Sequence, residues 1–210
     1  MSNIASYVVR YDSGFAPNPF YGYCTLATCK PEIRRVMGVG DWIVGCGSNA
    51  KGVRLGGRLV YAMRVTEVMT FDAYSTSNQF QAKIPYRSGS RKQSCGDNIY
   101  YRNDSTQGWQ QRDSFHSQHD GASNPKHIAR DTGVNRVLIS DHFKYFGGTG
   151  PEIPAHLQDS NGRQLCKTGI GWARFDDSVL LEKFVGWFDG LDGCGYSGPP
   201  EEWLRLRGRK

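Results

Sequence analysis

An α+β fold is predicted: a compact, curved β-sheet with flanking helices and a long polar insertion. Three observations carry it. Short β-prone runs occur far apart in the chain, at residues 5–10, 41–46 and 137–139. Helix starts of proline plus acid, Pro31-Glu32 and Pro200-Glu201-Glu202, lie between and after them. Between residues 85 and 134 apolar periodicity gives way to Ser, Asn, Asp, Gln, Gly and Arg.

Taken in order, residues 5–10 read as a first strand, followed by a Gly/Pro-rich loop to Tyr21 and a β-prone stretch at 23–29. A helix opens at Pro31, with Ile33, Val36 and Met37 on one face, and ends at Gly38 and Gly40. Trp42-Ile43-Val44 is an apolar strand. Residues 58–69 alternate through Val60, Ala62, Arg64, Thr66 and Val68, and read as the longest strand. Phe71 opens a helix running towards Lys83. Within the polar stretch, order is expected around Asn98-Ile99-Tyr100-Tyr101, then a long loop to Thr132. Val137-Leu138-Ile139 is a strand, which His142 to Phe146 either continues or follows with a second. Gly147-Gly148 ends it. Residues 179–188 have helical spacing, with Leu180, Phe184 and Trp187 inward, and a last helix opens at Pro200.

The length of 210 residues suits one domain, 1–210, with 85–134 as the insertion and 205–210 as a basic tail. No apolar run approaches the roughly 18 residues that span a bilayer, and residues 1–7 lack a signal-peptide pattern. No membrane association and a cytoplasmic location are therefore expected. Six cysteines in a chain of this length without an export signal read as reduced thiols. The spacing from Cys24 to Cys29 has no second pair to complete a zinc site, so no metal is expected and no cofactor is named. A net charge of +6 favours polyanionic partners: nucleic acid, DNA foremost, or nucleotides. A solvated surface accounts for such charge equally simply.

The first loop gathers Arg10, Asp12, Asn18, Phe20, Tyr21 and Cys24. Aromatic rings sandwich a base while Asn and Asp read its edge; the competing reading is a loop whose rings are core. Cys24 or Cys29 is a candidate nucleophile. Cys29 is preferred because a helix start and Lys30 follow it, both of which lower a thiol pKa, although a buried structural thiol is the commoner use of a cysteine. His116-Ser117-Gln118-His119-Asp120 is the densest polar cluster; a solvated loop outweighs a metal site there, and a general acid or base role for His116 is better supported. Asp141 and His142 follow a strand end, where active-site residues gather, but adjacent residues on a strand face opposite ways. Lys30, Arg34 and Arg35 are candidates for phosphate contacts. Arg87, Arg91, Lys92, Arg102 and Arg112, with Tyr86, Tyr100, Tyr101 and Trp109, form a second basic, aromatic zone suited to contacting nucleic acid. A dinucleotide-binding glycine pattern, a Gly-x-Ser-x-Gly elbow, a His-Glu-x-x-His motif and the zinc deaminase signature are absent.

The order strand, helix, Gly40-Asp41 turn and strands is similar to that of PUA-like domains, the EVE and ASCH branches above all; this is an analogy of fold. Denser is the match of residues 7–20 (Tyr-Val-Val-Arg-Tyr-Asp-Ser-Gly-Phe-Ala-Pro-Asn-Pro-Phe) and Cys24-Thr25-Leu26-Ala27-Thr28-Cys29-Lys30-Pro31. To these add Gly40-Asp41-Trp42-Ile43-Val44-Gly45, Arg112-Asp113-Ser114-Phe115-His116-Ser117, Asp120-Gly121, Asp131-Thr132 and Val137-Leu138-Ile139-Ser140-Asp141-His142-Phe143. Over roughly residues 5–150 the chain resembles the second of the nucleotide modification associated domain families of bacteria and their phages. The resemblance implies a role beside systems that modify bases, in DNA foremost, in the company of other modification or restriction proteins and of phage defence. It assigns no catalytic residue.

The expected function is therefore to act on or complete a modified base, on a nucleotide or in DNA. The alternative is a non-catalytic PUA-like reader that binds a flipped modified base and recruits a partner. A third reading is an enzyme acting on free nucleotides. The expected pocket draws on the 12–24 loop, the His116 loop and residues 141–146. In it Asp12 or His116 moves protons and Cys24 or Cys29 attacks. Phe20, Tyr21 or Tyr145 stacks the base, and Arg10, Lys30 and Arg34 hold phosphates, with Asn18, Arg35, Tyr100, Asp141 and His142 as further candidates.

Overall fold

The chain alternates between two units. The first takes the chain up to Ser13, Val39–Thr66 and the chain from Asp141 onward; the second takes Gly14–Gly38 and Glu67–Ser140. The computed structural model describes residues 2–207. In chain order the elements are β1 (Ile4–Val9), β2 (Cys24–Leu26), α1 (Pro31–Val36), β3 (Trp42–Gly47), β4 (Leu59–Arg64), β5 (Glu67–Met69) and α2 (Phe71–Thr76). A 3-10 turn (Asn78–Lys83), α3 (Arg91–Ser94), β6 (Tyr100–Tyr101), β7 (Gln110–Gln111), α4 (Pro125–Thr132), β8 (Val137–Ser140) and β9 (His142–Tyr145) follow. A second 3-10 turn (Gly147–Thr149), β10 (Trp172–Phe175), α5 (Ser178–Asp189), β11 (Gly195–Tyr196) and α6 (Glu201–Arg207) complete the described chain. The mixture is α+β, as the sequence predicts. No helix among the described residues is long and apolar enough to cross a membrane.

The first unit is built on a mixed six-stranded sheet in the order β10-β1-β3-β4-β9-β11. The pairs β1/β3 and β9/β11 are parallel and the others antiparallel. Alternation puts Ile4, Trp42, Val44 and Ala62 on one face, where they join Leu180, Phe184 and Phe188 of α5 in a buried core. Lys144, from β9, is buried and donates to Phe188 O at 2.8 Å and to Leu191 O, meeting the negative end of α5. Other strand positions carry Tyr7 and Tyr61, whose hydroxyls lie 2.9 Å apart. Gly45 lets the Tyr61 ring lie flat on β3, since a Cβ there would stand 2.3 Å from Tyr61 Cε1.

The second unit pairs β2, β8 and β5 antiparallel in the order β2-β8-β5, and β6 with β7 as a short hairpin. Its core gathers Phe15, Ala27, Phe71, Tyr74, Phe80, Ile99, Tyr100, Val137 and Ile139. A fully enclosed polar network crosses it. Lys83 Nζ donates to Asn18 Oδ1 at 2.6 Å and Tyr23 O at 2.9 Å, while Asp97 accepts from Thr25 at 2.6 Å and Tyr74 at 2.8 Å. Burial, partly offset by Asp97, brings the Lys83 ammonium down to about 8.

Four expectations about local structure change. Residues 58–69 are not one strand: β4 ends at Arg64 and β5 begins at Glu67 in the other unit's sheet, because Val65 N–H bonds to Asp41 O at 2.8 Å and its carbonyl takes Gly40 N–H at 2.8 Å. The helix from Phe71 stops at Ser77, whose extended backbone turns the chain into the 3-10 segment. The loop expected up to Thr132 ends in a helix, α4, capped by the Asn124 side chain on Lys126 N–H at 3.2 Å and His127 N–H at 3.4 Å, with Pro125 at its first position. On α5 it is Phe188, not Trp187, that joins Leu180 and Phe184 in the buried set. β10, which no sequence pattern marks, supplies an edge strand beside β1. Of the basic tail, Arg205 lies on α6 and pairs with Glu201 at 2.7 Å, whereas Arg209 and Lys210 lie outside the described residues.

Candidate active site

In the second unit, three other segments converge on Cys29. The thiol sits in the turn from β2 to α1, His116 in a turn after β7, Tyr100 on β6 and Asp131 near the end of α4. His116 Nε2 lies 3.5 Å from Cys29 Sγ, and His116 Nδ1 lies 2.9 Å from Asp131 Oδ2. Tyr100 donates to the same Oδ2 at 2.8 Å. Asp131 Oδ1 accepts Cys29 N–H at 3.1 Å and Arg130 Nε–H at 2.9 Å. Thiol, imidazole and carboxylate thus stand in line, an order that can serve a nucleophile, a base and a group that orients the base.

The turn that presents the thiol is strained. Cys29 and Lys30 both have left-handed backbone, with φ of 59° and 43°, costing about 1–3 kcal/mol each for residues other than glycine. Arg34 holds it. This side chain is fully buried and donates Nε to Cys29 O at 2.9 Å, Nη1 to Val134 O and Arg136 O at 2.7 Å each, and Nη2 to Asp131 O at 2.7 Å. One guanidinium therefore ties the Cys29 turn to the end of α4. His116 is fixed on its other sides: its carbonyl lies 2.9 Å from His127 Nδ1, and the Phe15 ring meets it edge-on at 4.8 Å.

Electrostatics define the resting state. Burial pulls the His116 imidazole below its ordinary value, with Asp131 pulling the other way. Burial and then Asp131 push the Cys29 thiol up, against Arg130, Lys30 and the Thr28 hydroxyl. Burial also opposes ionisation of Asp131, but hydrogen bonds from His116 and Arg130 outweigh it and hold this carboxyl well below the usual range. Lys30 does pull the thiol down, as expected from sequence, but burial outweighs it and the net direction is up. At neutral pH the cluster rests as thiol, neutral imidazole and carboxylate, with Nδ1–H donated to Asp131 and Nε2 open to the thiol proton.

Of the candidates read from sequence, the structure brings together Cys29, His116, Tyr100 and the Cys29 neighbours Lys30 and Arg34. Cys24 is fully buried on β2, and burial pushes its thiol far up. Asn18 is equally enclosed, donating to Cys95 O at 2.8 Å and accepting from Lys83. Phe20 is buried; Tyr21 is part-exposed, with Lys92 Nζ 4.5 Å from its ring centre. Arg35 is exposed and pairs with Glu32 at 3.8 Å. The remaining candidates, Arg10, Asp12, Asp141, His142 and Tyr145, belong to the first unit. Asp12 is buried there, accepting from the Tyr145 hydroxyl and from Glu201 N–H at 3.0 Å at the start of α6. Burial, opposed by those two bonds, raises its pKa to about 6. Tyr145 is fully buried and stacks on Tyr196 with ring centres 5.8 Å apart. Arg10 is exposed beside Tyr11. Asp141 and His142 are both exposed; His142 meets the Trp42 ring edge-on at 5.4 Å.

Sequence reasoning missed Asp131 and Arg130. Asp131 lies 15 positions from His116 and 102 from Cys29, in a stretch read as loop; the Asn124-Pro125 cap was the signal that would have made it helix. No group of three or more His, Cys, Asp or Glu side chains among the described residues is arranged to hold a metal.

An α+β protein with a part-buried cysteine in line with a buried histidine and aspartate is the class that fold and site define. The chain belongs to the nucleotide modification associated domain 2 family, whose model matches residues 1–207, well beyond the span over which the resemblance was read. Its context is accordingly nucleotide modification. No curated protein and no solved structure matches the chain.

Proposed function

We propose that the protein is an enzyme acting on a nucleotide or on a base in DNA, through Cys29 as nucleophile and His116 as general base and acid. The observation that carries this reading is the alignment of Cys29 Sγ, His116 Nε2, His116 Nδ1 and Asp131 Oδ2, at 3.5 Å and 2.9 Å. The thiol proton passes to Nε2 as Sγ bonds to an electrophilic carbon of the substrate. Asp131 stabilises the imidazolium, and Nε2 returns the proton to the group that leaves. The strained turn supports the reading, since left-handed backbone at non-glycine residues concentrates at functional sites.

The test compares nucleosides from digested DNA by mass spectrometry, in cells carrying the native neighbours with the intact gene, C29A, H116A or C24A. A mass that depends on the intact gene, is lost in C29A and H116A and persists in C24A is expected. Its persistence in C29A overturns the assignment.

The PUA-like reader remains the second reading, and guanidinium–aromatic pairs in the second unit favour it. Arg87 lies over Phe115 at 4.4 Å, Arg102 over Trp109 at 4.4 Å and Arg112 over Tyr101 at 4.3 Å, and Phe115 is 45% exposed. Stacked planes of this kind take unpaired bases. In that case modified DNA binds more tightly than plain DNA, C29A binds as wild type, and a modification or restriction partner carries the chemistry.

A further inference from the structure

Around Cys29 the charges do not balance. Arg130, Lys30 and Arg34 all act on the thiol, and the carboxylate that most opposes them is that of Asp131. Asp131 is fully engaged, by Cys29 N–H, Arg130, His116 and Tyr100. Arg34 gives its donors to four carbonyl oxygens. Arg130 differs. Its Nε donates to Asp131 Oδ1 at 2.9 Å and its Nη2 to Oδ2 at 3.3 Å, and Nη2 also stands 3.5 Å from His116 Nε2 and 3.9 Å from Cys29 Sγ. Its Nη1 has no hydrogen-bond partner among the described residues, and its side chain is 42% exposed.

Resting on the thiol reading above, we propose that Arg130 is the anion-binding residue of this site: the substrate places a carboxylate or phosphate oxygen against the guanidinium, beside the carbon that Sγ attacks. Asp131 holds two of the three guanidinium nitrogens, so the fork is fixed in direction, and the nitrogen without a partner is the one left for a ligand. The same carboxylate orients His116, so a bound anion and the reacting base share one support. A neutral substrate would leave the excess of positive charge uncompensated beside a site whose chemistry generates an imidazolium.

Two alkylating agents of similar size, iodoacetate and iodoacetamide, test this. In both, Sγ bonds to the methylene carbon, iodide leaves and the thiol proton goes to His116 or solvent; they differ in charge at the oxygen end. Rates at Cys29 are read by peptide mass spectrometry, with the exposed Cys194 as internal reference. Taking the ratio of the two rates cancels changes in thiolate fraction. The expected ratio at Cys29 exceeds that at Cys194 by about tenfold, near the low end for a hydrogen bond to a charged group, and shrinks as salt is raised. R130Q lowers it to the Cys194 value; R130K retains most of it, which guards against a misfolded glutamine variant. Phosphate or acetate added at constant ionic strength slows the iodoacetate reaction, and the stronger protector assigns the anion to phosphate or carboxylate. If Cys29 reacts with iodoacetamide but shows no preference for iodoacetate, the anion site is overturned and the nucleophile stands. If Cys29 reacts with neither, the nucleophile falls, and the anion site with it.

Discussion

His116 and Asp131 meet at 2.9 Å through Nδ1 and Oδ2, and this contact decides that Nε2 is the nitrogen facing the Cys29 thiol. Replacing Asp131 with Asn keeps the shape but offers an amide group in place of the acceptor. D131N is expected to lower turnover by about 10²–10⁴-fold, the scale of general base catalysis, with a small change in KM. D131A also strips Cys29 N–H, Tyr100 and Arg130 of their partner, and its unfolding free energy is expected to fall by about 1–3 kcal/mol for each enclosed donor left unmet. Steady-state kinetics and urea unfolding distinguish the two effects; wild-type turnover in D131N removes the carboxylate from the mechanism.

The pH dependence follows from the burial of His116 and Cys29. Burial depresses His116, so the folded protein prefers neutral imidazole. Its stabilising contribution is present above the unfolded value of about 6.5 and is lost as pH falls through the folded value. The acid limb of activity lies below 6.5 for the same reason. D131N removes the opposing carboxylate and moves that limb further down. Because the thiol is raised, alkylation of Cys29 in H116A continues to climb above the ordinary thiol range, whereas the wild type reacts at neutral pH. An acid limb above 6.5 contradicts this account.

Asp12 makes a separate prediction in the first unit. Its folded pKa of about 6 stands above the unfolded value of 3.8, so its contribution to stability is fully present below pH 3.8 and is lost as pH rises through 6. Two units correspond to about 3 kcal/mol in favour of the protonated form. Y145F removes one of the two bonds that offset burial. It is expected to cost about 1.5–3 kcal/mol at pH 7.5, where the carboxylate is charged, and clearly less at pH 4.5. Equal losses at the two pH values refute the assignment.

Arg34 was a candidate for phosphate contact, and its enclosure makes it a prediction about folding. R34K places one ammonium where a fork serves four carbonyl oxygens, leaving buried acceptors unmet. Its unfolding free energy is expected to drop by about 3 kcal/mol or more. Arg35, one position on and exposed, changes stability by less than about 0.5 kcal/mol when replaced by Ala. Thermal melts of the two variants decide; near-identical melting overturns the role given to Arg34.

Much of the fold was legible because the strands are apolar in short blocks and the helices begin with proline and acid. Trp42–Gly47, Pro31–Val36, Val137–Ser140 and Ser178–Asp189 all stand close to where pattern put them. The run at 58–69 misled because alternation is local: Val60 and Val68 keep one period while the backbone between them leaves one sheet for another. Of the site, Cys29 and His116 were legible as reactive types in suggestive settings. Their partner was not, since Asp131 is one carboxylate among many in a polar stretch.

The sequence by itself determined the class of fold and the family, and placed Cys29 and His116 among several candidates for the proposed chemistry, because residue type, end-capping and motif are properties of the chain read locally. Only the tertiary structure decided between Cys24 and Cys29 as the thiol beside an imidazole, turned Arg34 and Asn18 into structural ties, and set Asp131 and Arg130 beside the thiol. Those outcomes depend on burial and on contacts across 100 or so positions of chain, and both arise only when the second unit closes around its core.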